Sequence, residues 1–148
     1  MQQETPILTL KPTSLECIPQ YATKGSAGLD LTANINTPCI IHPGETIVIP
    51  TGLHMEAPKN CFGLLASRSG LSTKHGITIV NGVGVIDNDY RGEIKCPLIN
   101  LSNKPYTINP GERIAQLIIM PYLHCHIHLT EKLSDTMRGD GGFGSTGK

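Results

Sequence analysis

The sequence predicts a single all-β domain of about ten short strands, with one short helix and a glycine-rich C-terminal arm. Its length of 148 residues is typical of one domain. Gly (16) and Pro (11) are frequent and Trp is absent, so the chain is interrupted too often for a helical bundle. With 39% hydrophobic residues, the chain can still bury a core.

Each predicted strand is a short apolar or alternating run that ends at a turn residue. In chain order, the predicted strands lie within 1–20 and at 29–33, 47–49, 61–66, 77–80, 83–86, 94–101 and 114–120. The run 29–33 alternates apolar and polar residues, as a half-buried strand does, and the β-branched run 47–49 ends at Pro50. This spacing is typical of a β-sandwich or barrel.

Turn residues separate these strands. Asn81-Gly82 joins the runs 77–80 and 83–86, and Asn-Gly between apolar runs is the strongest local signal for a β-hairpin. Pro43-Gly44 and Pro110-Gly111 mark further tight turns. The sequence therefore predicts an antiparallel pair of strands on either side of residue 82.

One helix and one arm complete the prediction. Ser69 is a residue type that caps helices, residues 70–75 would form one or two turns, and Gly76 would end them. The segment 138–148 is rich in glycine and has too little apolar surface to order itself. We therefore expect a β domain at 1–137 and a flexible arm at 138–148.

Charge and cysteine content limit the possible partners. Lys plus Arg and Asp plus Glu are both 12, which excludes a chain-wide basic surface for nucleic acid or for a membrane. The N terminus lacks the features of a signal peptide, and no apolar stretch is long enough to span a bilayer. The five cysteines are odd in number and form no CxxC pair, which favours buried, reduced thiols. The sequence predicts a cytoplasmic protein that binds neither nucleic acid nor membrane.

The segment 66–70 has the features of an anion site. An apolar strand ends, and Arg68, Ser69 and Gly70 follow at the start of the predicted helix. A guanidinium, a hydroxyl and free backbone N–H groups together suit a phosphate. Alternatively, Ser69 only caps a turn and Arg68 is a solvated surface charge.

The segment 84–92 carries two carboxylates at the end of a predicted strand. Asp87 and Asp89 precede Tyr90 in a turn. A carboxylate fixed at a strand end can take a proton from water, and two carboxylates together can attract a hard cation. Alternatively, this is a polar turn whose Asp and Asn side chains accept backbone N–H bonds.

Two further patterns have ordinary explanations. Residues 142–148 match G-x-x-x-x-G-K, but a nucleotide-triphosphatase loop needs a strand before it and a helix after it, and a hydroxyl residue after the lysine. His124, His126 and His128 would share one face of a strand. A metal site is possible there, but alternation of polar residues on an exposed edge strand is the commoner cause.

Five segments together resemble the homotrimeric dUTPases (deoxyuridine 5′-triphosphate nucleotidohydrolases), in that family's order. They are AGLDL at 27–31, RSGL at 68–71, GVIDNDYRG at 84–92, PGERIAQL at 110–117 and RGDGGFGSTG at 138–147. The resemblance implies an antiparallel β-barrel or jelly roll of the β-clip type. It also implies a homotrimer whose active sites are shared between chains, with the arm of one chain over a neighbour's site.

The implied reaction is Mg²⁺-assisted attack of water on the α-phosphorus of dUTP, which gives dUMP and pyrophosphate. This reaction removes dUTP from the DNA precursor pool and supplies dUMP for thymidylate synthesis. The resemblance assigns the general base to Asp87. It implies that Mg²⁺ is held by the phosphates and waters, with no direct protein ligand. Asp30 would either reach a metal-bound water or brace Arg68.

The resemblance also assigns the substrate contacts. The phosphate contacts would be Arg68, Ser69, Gly70 and Gln116. The hairpin 80–91 would hold the uracil, with Asn81, Val85 and Ile86 at the base, Tyr90 beneath the deoxyribose, and Lys95 towards the nucleotide. From the arm, Phe143 would cover the uracil. The terminal phosphate would be gripped by Arg138, Gly144, Ser145 and Thr146.

Two other functions fit the same motifs less well. A dCTP deaminase of the same superfamily needs an additional acid/base, usually a glutamate near the second motif, and 67–75 contains no carboxylate. A nucleotide-sensing module without turnover would need neither Asp87 nor the arm. Two positions depart from the common family pattern: Ser67 stands where proline is frequent, and Asn88 stands where the residue type varies.

Overall fold

The computed structural model describes residues 5–142, in which eleven β-strands, one α-helix and one 3-10 helix (Leu15–Cys17) are present. The strands are β1 (Thr9–Pro12), β2 (Gln20–Tyr21), β3 (Leu29–Thr32), β4 (Cys39–Ile41), β5 (Thr46–Glu56), β6 (Cys61–Ser67), β7 (Ile77–Ile79), β8 (Gly84–Ile86), β9 (Ile94–Asn100), β10 (Tyr106–Ile108) and β11 (Arg113–Pro121). Helix α1 (Ser69–His75) lies between β6 and β7.

The strands form two large sheets and one small one, and every pairing is antiparallel. The strand orders are β1-β5-β9-β7, β2-β3-β11-β6-β8 and β10-β4. Inward-facing residues of both large sheets belong to one buried apolar cluster, because alternate residues of each strand point to the same side. In β9, for example, Ile94, Cys96 and Leu98 are completely buried. The predicted all-β antiparallel fold is confirmed.

The prediction of a hairpin around Asn81-Gly82 is wrong, although the tight turn is present. Gly82 has a φ of 75°, and its N–H donates to the Ile79 carbonyl at 3.0 Å. However, β7 pairs with β9 and β8 pairs with β6, so the chain passes from one large sheet to the other at this turn. Asn-Gly fixes the local turn but does not determine which strands the flanking runs pair with.

Strand β5 does not end at Pro50, as the sequence suggests, but continues to Glu56. The pairing register with β9 shifts between Pro50 and Leu53, which marks a bulge. Proline is tolerated in a bulge because no ladder N–H is required there. Gly52, with a φ of 66°, supplies the left-handed conformation that the bulge needs.

The short helix is present, but its N-terminal cap is not the predicted one. Arg68, rather than Ser69, is the N-cap residue, and no side chain caps the helix. Gly76 ends the helix as predicted, with a φ of 69° and its N–H bonded to the Leu71 and Ser72 carbonyls. The left-handed conformation at this position explains the glycine.

The histidine trio lies on no strand, contrary to the prediction. Strand β11 ends at Pro121, and residues 122–130 have no regular structure. Among residues 5–142, no group of three or more His, Cys, Asp or Glu side chains is placed to hold a metal.

The five cysteines are unpaired, but only two are buried. Cys17 and Cys96 are buried, Cys39 and Cys61 are half-buried, and Cys125 is exposed. Burial raises the pKa of the Cys96 thiol to about 12, which keeps it protonated. Within residues 5–142, no helix is long and apolar enough to cross a membrane.

Candidate active site

Arg68 is held at the junction between β6 and α1 by two hydrogen bonds. Its Nε donates to Asp30 Oδ1 at 2.9 Å, and its Nη1 donates to the main-chain carbonyl of Arg113 at 3.2 Å. The Arg68 side chain is 27% exposed. These contacts engage Nε and Nη1, and among residues 5–142 no hydrogen bond engages Nη2, which can therefore still donate to a ligand.

Asp30 joins two arginines. While its Oδ1 accepts from Arg68, its Oδ2 accepts from Arg113 Nη1 at 3.1 Å, and its side chain is only 16% exposed. The sequence leaves open whether Asp30 braces Arg68 or reaches a metal-bound water. In this structure, both carboxylate oxygens contact guanidinium groups.

A polar cleft of about 290 Å³ opens beside this network. Its walls include Asp30 and the four phosphate contacts that the resemblance assigns outside the arm, namely Arg68, Ser69, Gly70 and Gln116. Gln116 is fixed because its Nε2 donates to the Ser67 carbonyl at 2.9 Å. A Cβ at Gly28 would lie 2.5 Å from Gln116 Oε1, so a larger residue at this position would require the Gln116 side chain to shift.

Ser67 has a role that the sequence does not reveal. Its hydroxyl accepts the Ile79 N–H at 2.9 Å and hydrogen-bonds with Thr78 Oγ1 at 2.7 Å. These bonds tie the end of β6 to β7 directly before Arg68. A serine that ends an apolar strand gives no signal of such a long-range partner.

Asp87 follows β8 and lines a second cleft, of about 460 Å³. This cleft also contains Asn88 and Asp89, and its remaining walls come from Phe62, Val85, Tyr122 and His124. Asp87 is exposed, and no ion pair involves it among residues 5–142. Its carboxylate is therefore available to a water molecule or a ligand.

Asn88 fixes the loop that carries Asp87. Its Nδ2 lies 2.9 Å from the Pro58 carbonyl, 3.1 Å from that of Cys61 and 3.2 Å from that of Ala57. The Asn88 carbonyl in turn accepts from Arg91 Nη1 at 2.7 Å. The residue type at this position varies in the family that the sequence resembles. In this chain, Asn88 anchors the loop before β6 to the loop after β8.

Tyr90 lies across a glycine in the same loop. Its hydroxyl donates to the Glu93 carbonyl at 3.1 Å, and the residue is 45% exposed. A Cβ at Gly92 would lie 2.2 Å from Tyr90 Oη, so only glycine allows this ring position. One face of the ring is thus supported by the protein while the residue remains accessible.

The other residues assigned to the nucleoside lie near this loop or on the neighbouring sheet. Asn81 is exposed in the turn before β8, Val85 is exposed on β8, and Ile86 is half-buried. Lys95 is exposed on β9, in the other large sheet, with its Nζ 3.9 Å from Glu93 Oε2.

The two clefts lie at opposite ends of β6. Because β6 pairs antiparallel with β8 through Gly63↔Ile86, Asp87 lies level with Phe62, whereas Arg68 follows the last residue of β6. Phe62 and Arg68 are six residues apart, which corresponds to about 20 Å at a strand rise of about 3.3 Å per residue. The residues lining the two clefts do not overlap. Within one chain, Asp87 and Arg68 cannot contact the same phosphate group.

Of the arm residues assigned to substrate, only Arg138 is described. It is exposed, and its Nε donates to the Gly141 carbonyl at 2.8 Å. The remaining assigned residues of the arm lie outside the described range: Phe143, Gly144, Ser145 and Thr146.

Comparisons with a family model and with curated relatives point to the same family. The dUTPase family model matches residues 16–147. A deoxyuridine 5′-triphosphate nucleotidohydrolase of Cytophaga hutchinsonii is 48% identical over 135 residues, covering 91% of this chain and 88% of the relative. The enzyme of the same name from Neisseria meningitidis serogroup A is 45% identical over 148 residues, covering 99% of each chain.

Solved structures of similar fold carry the same family name. The Staphylococcus bacteriophage 80alpha dUTPase with dUpNHpp has a TM-score of 0.87 and 29% identity, covering 97% of this chain and all of that one. A mutant dUTPase of the S. aureus phage phi11, described with coordination of a structural Mg(II) ion, has a TM-score of 0.78 and 25% identity. That match covers 87% of this chain and 99% of the phage chain.

Proposed function

Because the chain belongs to the dUTPase family, its activity is the hydrolysis of dUTP to dUMP and pyrophosphate, and we propose that Asp87 and the cleft at Arg68 carry that reaction. The observation that supports this most strongly is the convergence of Arg68, Ser69, Gly70 and Gln116 on one cleft. These residues come from the end of β6, the start of α1 and the middle of β11. Their guanidinium, hydroxyl and amide groups can donate hydrogen bonds to phosphate oxygens.

In the proposed reaction, the carboxylate of Asp87 orients a water molecule and takes its proton. The water oxygen then forms a bond to the α-phosphorus, and the bond from the α-phosphorus to the oxygen bridging to the β-phosphate breaks. Pyrophosphate leaves with that oxygen. Arg68 stabilises the negative charge of the phosphate chain, and positioning supplies most of the rate enhancement.

The Arg68 cleft suits a magnesium ion that is bound by the substrate phosphates rather than by protein side chains. Within the described range, Asp30 is the one carboxylate that lines the Arg68 cleft, and both of its oxygens already contact guanidinium groups. The donor set of this cleft therefore suits phosphate better than a bare cation, and phosphate oxygens and waters would supply the magnesium ligands. When bound, Mg²⁺ would neutralise part of the triphosphate charge.

We propose that the complete site forms in a homotrimer, where the Asp87 cleft of one chain faces the Arg68 cleft of another. The separation of the two clefts along β6 supports this arrangement. Exposed apolar side chains beside the Asp87 loop support it as well, since Val83 and Val85 are 49% and 60% exposed. In this proposal, residues 1–137 form the assembled domain and 138–148 close over a neighbour's site.

We also propose that the protein is located in the cytoplasm, with which its unpaired cysteines are consistent.

From the assigned base pocket we expect strong selectivity for dUTP over dTTP and UTP. We expect pyrophosphate release from dUTP to exceed release from dTTP and from UTP by about 100-fold or more, in kcat/KM. Packing of the loop 80–91 around the base would exclude a 5-methyl group, and Tyr90 beneath the sugar would exclude a 2′-hydroxyl. A pyrophosphate-release assay across the three nucleotides measures this, and similar rates on all three would contradict the assigned pocket.

A further inference from the structure

We propose that Glu93 is a positioning residue for sugar selectivity: its carboxylate fastens the turn that supports Tyr90 to the bulge of β5. This inference rests on the proposed function of Tyr90, which lies beneath the deoxyribose and excludes a 2′-hydroxyl. Glu93 follows the family-like segment 84–92 and directly precedes β9. Neither the sequence nor the proposed reaction assigns it a role.

Side chains replace the main-chain hydrogen bonds that the bulge of β5 interrupts. Thr51 and Gly52 have no partner residue on β9, because the pairing register shifts across them. The Thr51 hydroxyl donates to the Ile94 carbonyl at 2.6 Å, and the Gly52 N–H donates to Glu93 Oε1 at 2.8 Å. The start of β9 is therefore fastened to the bulge by two side chains.

Gly52 gives the Glu93 carboxylate a fixed partner. Its φ of 66° is left-handed, and its carbonyl accepts the Thr13 N–H at 2.8 Å. A Cβ at this position would lie within 2.6 Å of the side chains of Thr13, Cys17 and Asn34. Because neighbours enclose the glycine so closely, its N–H has one direction in which to find an acceptor.

The main chain of Glu93 supports Tyr90. The Tyr90 hydroxyl donates to the Glu93 carbonyl at 3.1 Å. Glu93 thus holds the bulge of β5 with its side chain and the tyrosine with its carbonyl. The position of the Tyr90 ring therefore depends on where Glu93 is held.

Other contacts from β5 reach the same turn, but the Glu93 carboxylate is better shielded from water. His54 Nδ1 lies 2.9 Å from the Arg91 carbonyl, and Glu56 Oε1 lies 3.6 Å from Arg91 Nη2. The Glu56 side chain is 60% exposed, whereas that of Glu93 is 23% exposed and its partner Gly52 is buried. Exposed ion pairs contribute little, while a buried N–H without an acceptor is costly. Loss of Glu93 is therefore expected to displace the turn more than loss of Glu56.

The test compares kcat/KM for dUTP, UTP and dTTP in full-length variants. Glu93→Ala is expected to lower the dUTP-to-UTP ratio by about tenfold, as for loss of a hydrogen bond to a charged group. The dUTP-to-dTTP ratio should stay unchanged, because the residues assigned to the base, within 81–86, lie outside the turn. A merely structural role would reduce the amount of active enzyme, which lowers all three rates equally and leaves both ratios unchanged.

Two variants control for charge and for loss of a carboxylate. Glu93→Gln keeps an oxygen acceptor for the Gly52 N–H and is expected to keep the wild-type ratios. Glu45→Ala is the matched control, because the Glu45 carboxylate also accepts a main-chain N–H, from His42 at 2.7 Å, and lines neither cleft. It should leave both ratios unchanged. A loss in Glu93→Gln as large as in Glu93→Ala would trace the effect to charge and overturn the proposal.

Tyr90→Phe tests the same connection without touching the bulge, so the proposal stays testable even if Glu93→Ala does not fold. It removes the hydroxyl that donates to the Glu93 carbonyl and is expected to lower the dUTP-to-UTP ratio. Glu93→Ala/Tyr90→Phe should lower the ratio no further than the more affected single variant. An unchanged ratio in Tyr90→Phe, or additive losses in the double variant, would contradict the connection.

Tyr90→Ala separates this inference from the proposed function. A lowered dUTP-to-UTP ratio in Tyr90→Ala with an unchanged ratio in Glu93→Ala would overturn the role of Glu93 only. An unchanged ratio in Tyr90→Ala would overturn the assignment of Tyr90 to the sugar, and the role of Glu93 with it.

Discussion

Replacement of Asp87 by asparagine is expected to lower kcat for dUTP by about 10³-fold, in the range that general-base catalysis contributes. The amide has nearly the same shape as the carboxylate but cannot take a proton from water. The main-chain bond from the Tyr90 N–H to the Asp87 carbonyl, at 3.1 Å, does not depend on the side chain. The loop should therefore keep its conformation, and the Kd for dUpNHpp should change little.

Asp89→Asn is the matched control for this experiment, because it removes the same charge two residues away in the same cleft. We expect it to keep most of the turnover. Stopped-flow or steady-state measurement of pyrophosphate release gives kcat, and calorimetry gives the Kd. Full activity of Asp87→Asn would exclude Asp87 as the base, and a larger loss at Asp89 would move that role to Asp89.

Removal of residues 138–148 is expected to lower kcat/KM by about 100-fold, as for loss of a lid that positions substrate and excludes water. The truncated chain loses Arg138 and the whole glycine-rich segment assigned to the terminal phosphate and the uracil. Within the described range, the one hydrogen bond of the Arg138 side chain is to the Gly141 carbonyl of the same arm. The β domain should therefore keep its thermal unfolding midpoint.

Each outcome of the truncation experiment tests the role assigned to the arm. Loss of activity with an unchanged unfolding curve and unchanged oligomeric mass is the expected result. Unfolding of the truncated chain would show that the arm belongs to the core. Unchanged kcat/KM would show that the arm takes no part in the reaction.

Much of the fold is predictable from local patterns. The alternation in β3, which buries Leu29 and Leu31, and the apolar runs that become β6, β9 and β11 all follow from period-two burial. Strands β2, β4 and β10 have only two or three residues, which is too short for a periodic signal. Their existence depends on neighbours that only the tertiary structure supplies.

Strand pairing is not predictable in the same way. The turn at Gly82 is encoded locally, but the sequence does not say that the runs on either side belong to different sheets. The choice depends on long-range fit: a Cβ at Gly84, for example, would lie 2.9 Å from Leu65 Cβ. Such close packing against β6 can be seen only once the strands are assembled.

In the candidate site, too, contacts between sequence neighbours are predictable, whereas contacts that depend on strand pairing are not. Arg68, Ser69 and Gly70 adjoin in sequence, so their proximity is predictable, whereas Gln116 joins them only because β11 pairs with β6. The second contact of Asp30, with Arg113, depends on the bulge where β11 pairs with β3. Asn88 gives no sequence signal because its partners are main-chain carbonyls of a loop some thirty residues earlier.

The division of the active site between chains is tested most directly by mixing two inactive variants. Asp87→Asn and Arg68→Ala would be co-unfolded, refolded at equal concentration and assayed for dUTP hydrolysis. If Asp87 and Arg68 act from different chains of a trimer, random assembly restores about one quarter of wild-type activity, because that fraction of sites receives both intact residues. If both residues act within one chain, the mixture stays as inactive as each variant alone, and the proposed assembly of the site is wrong.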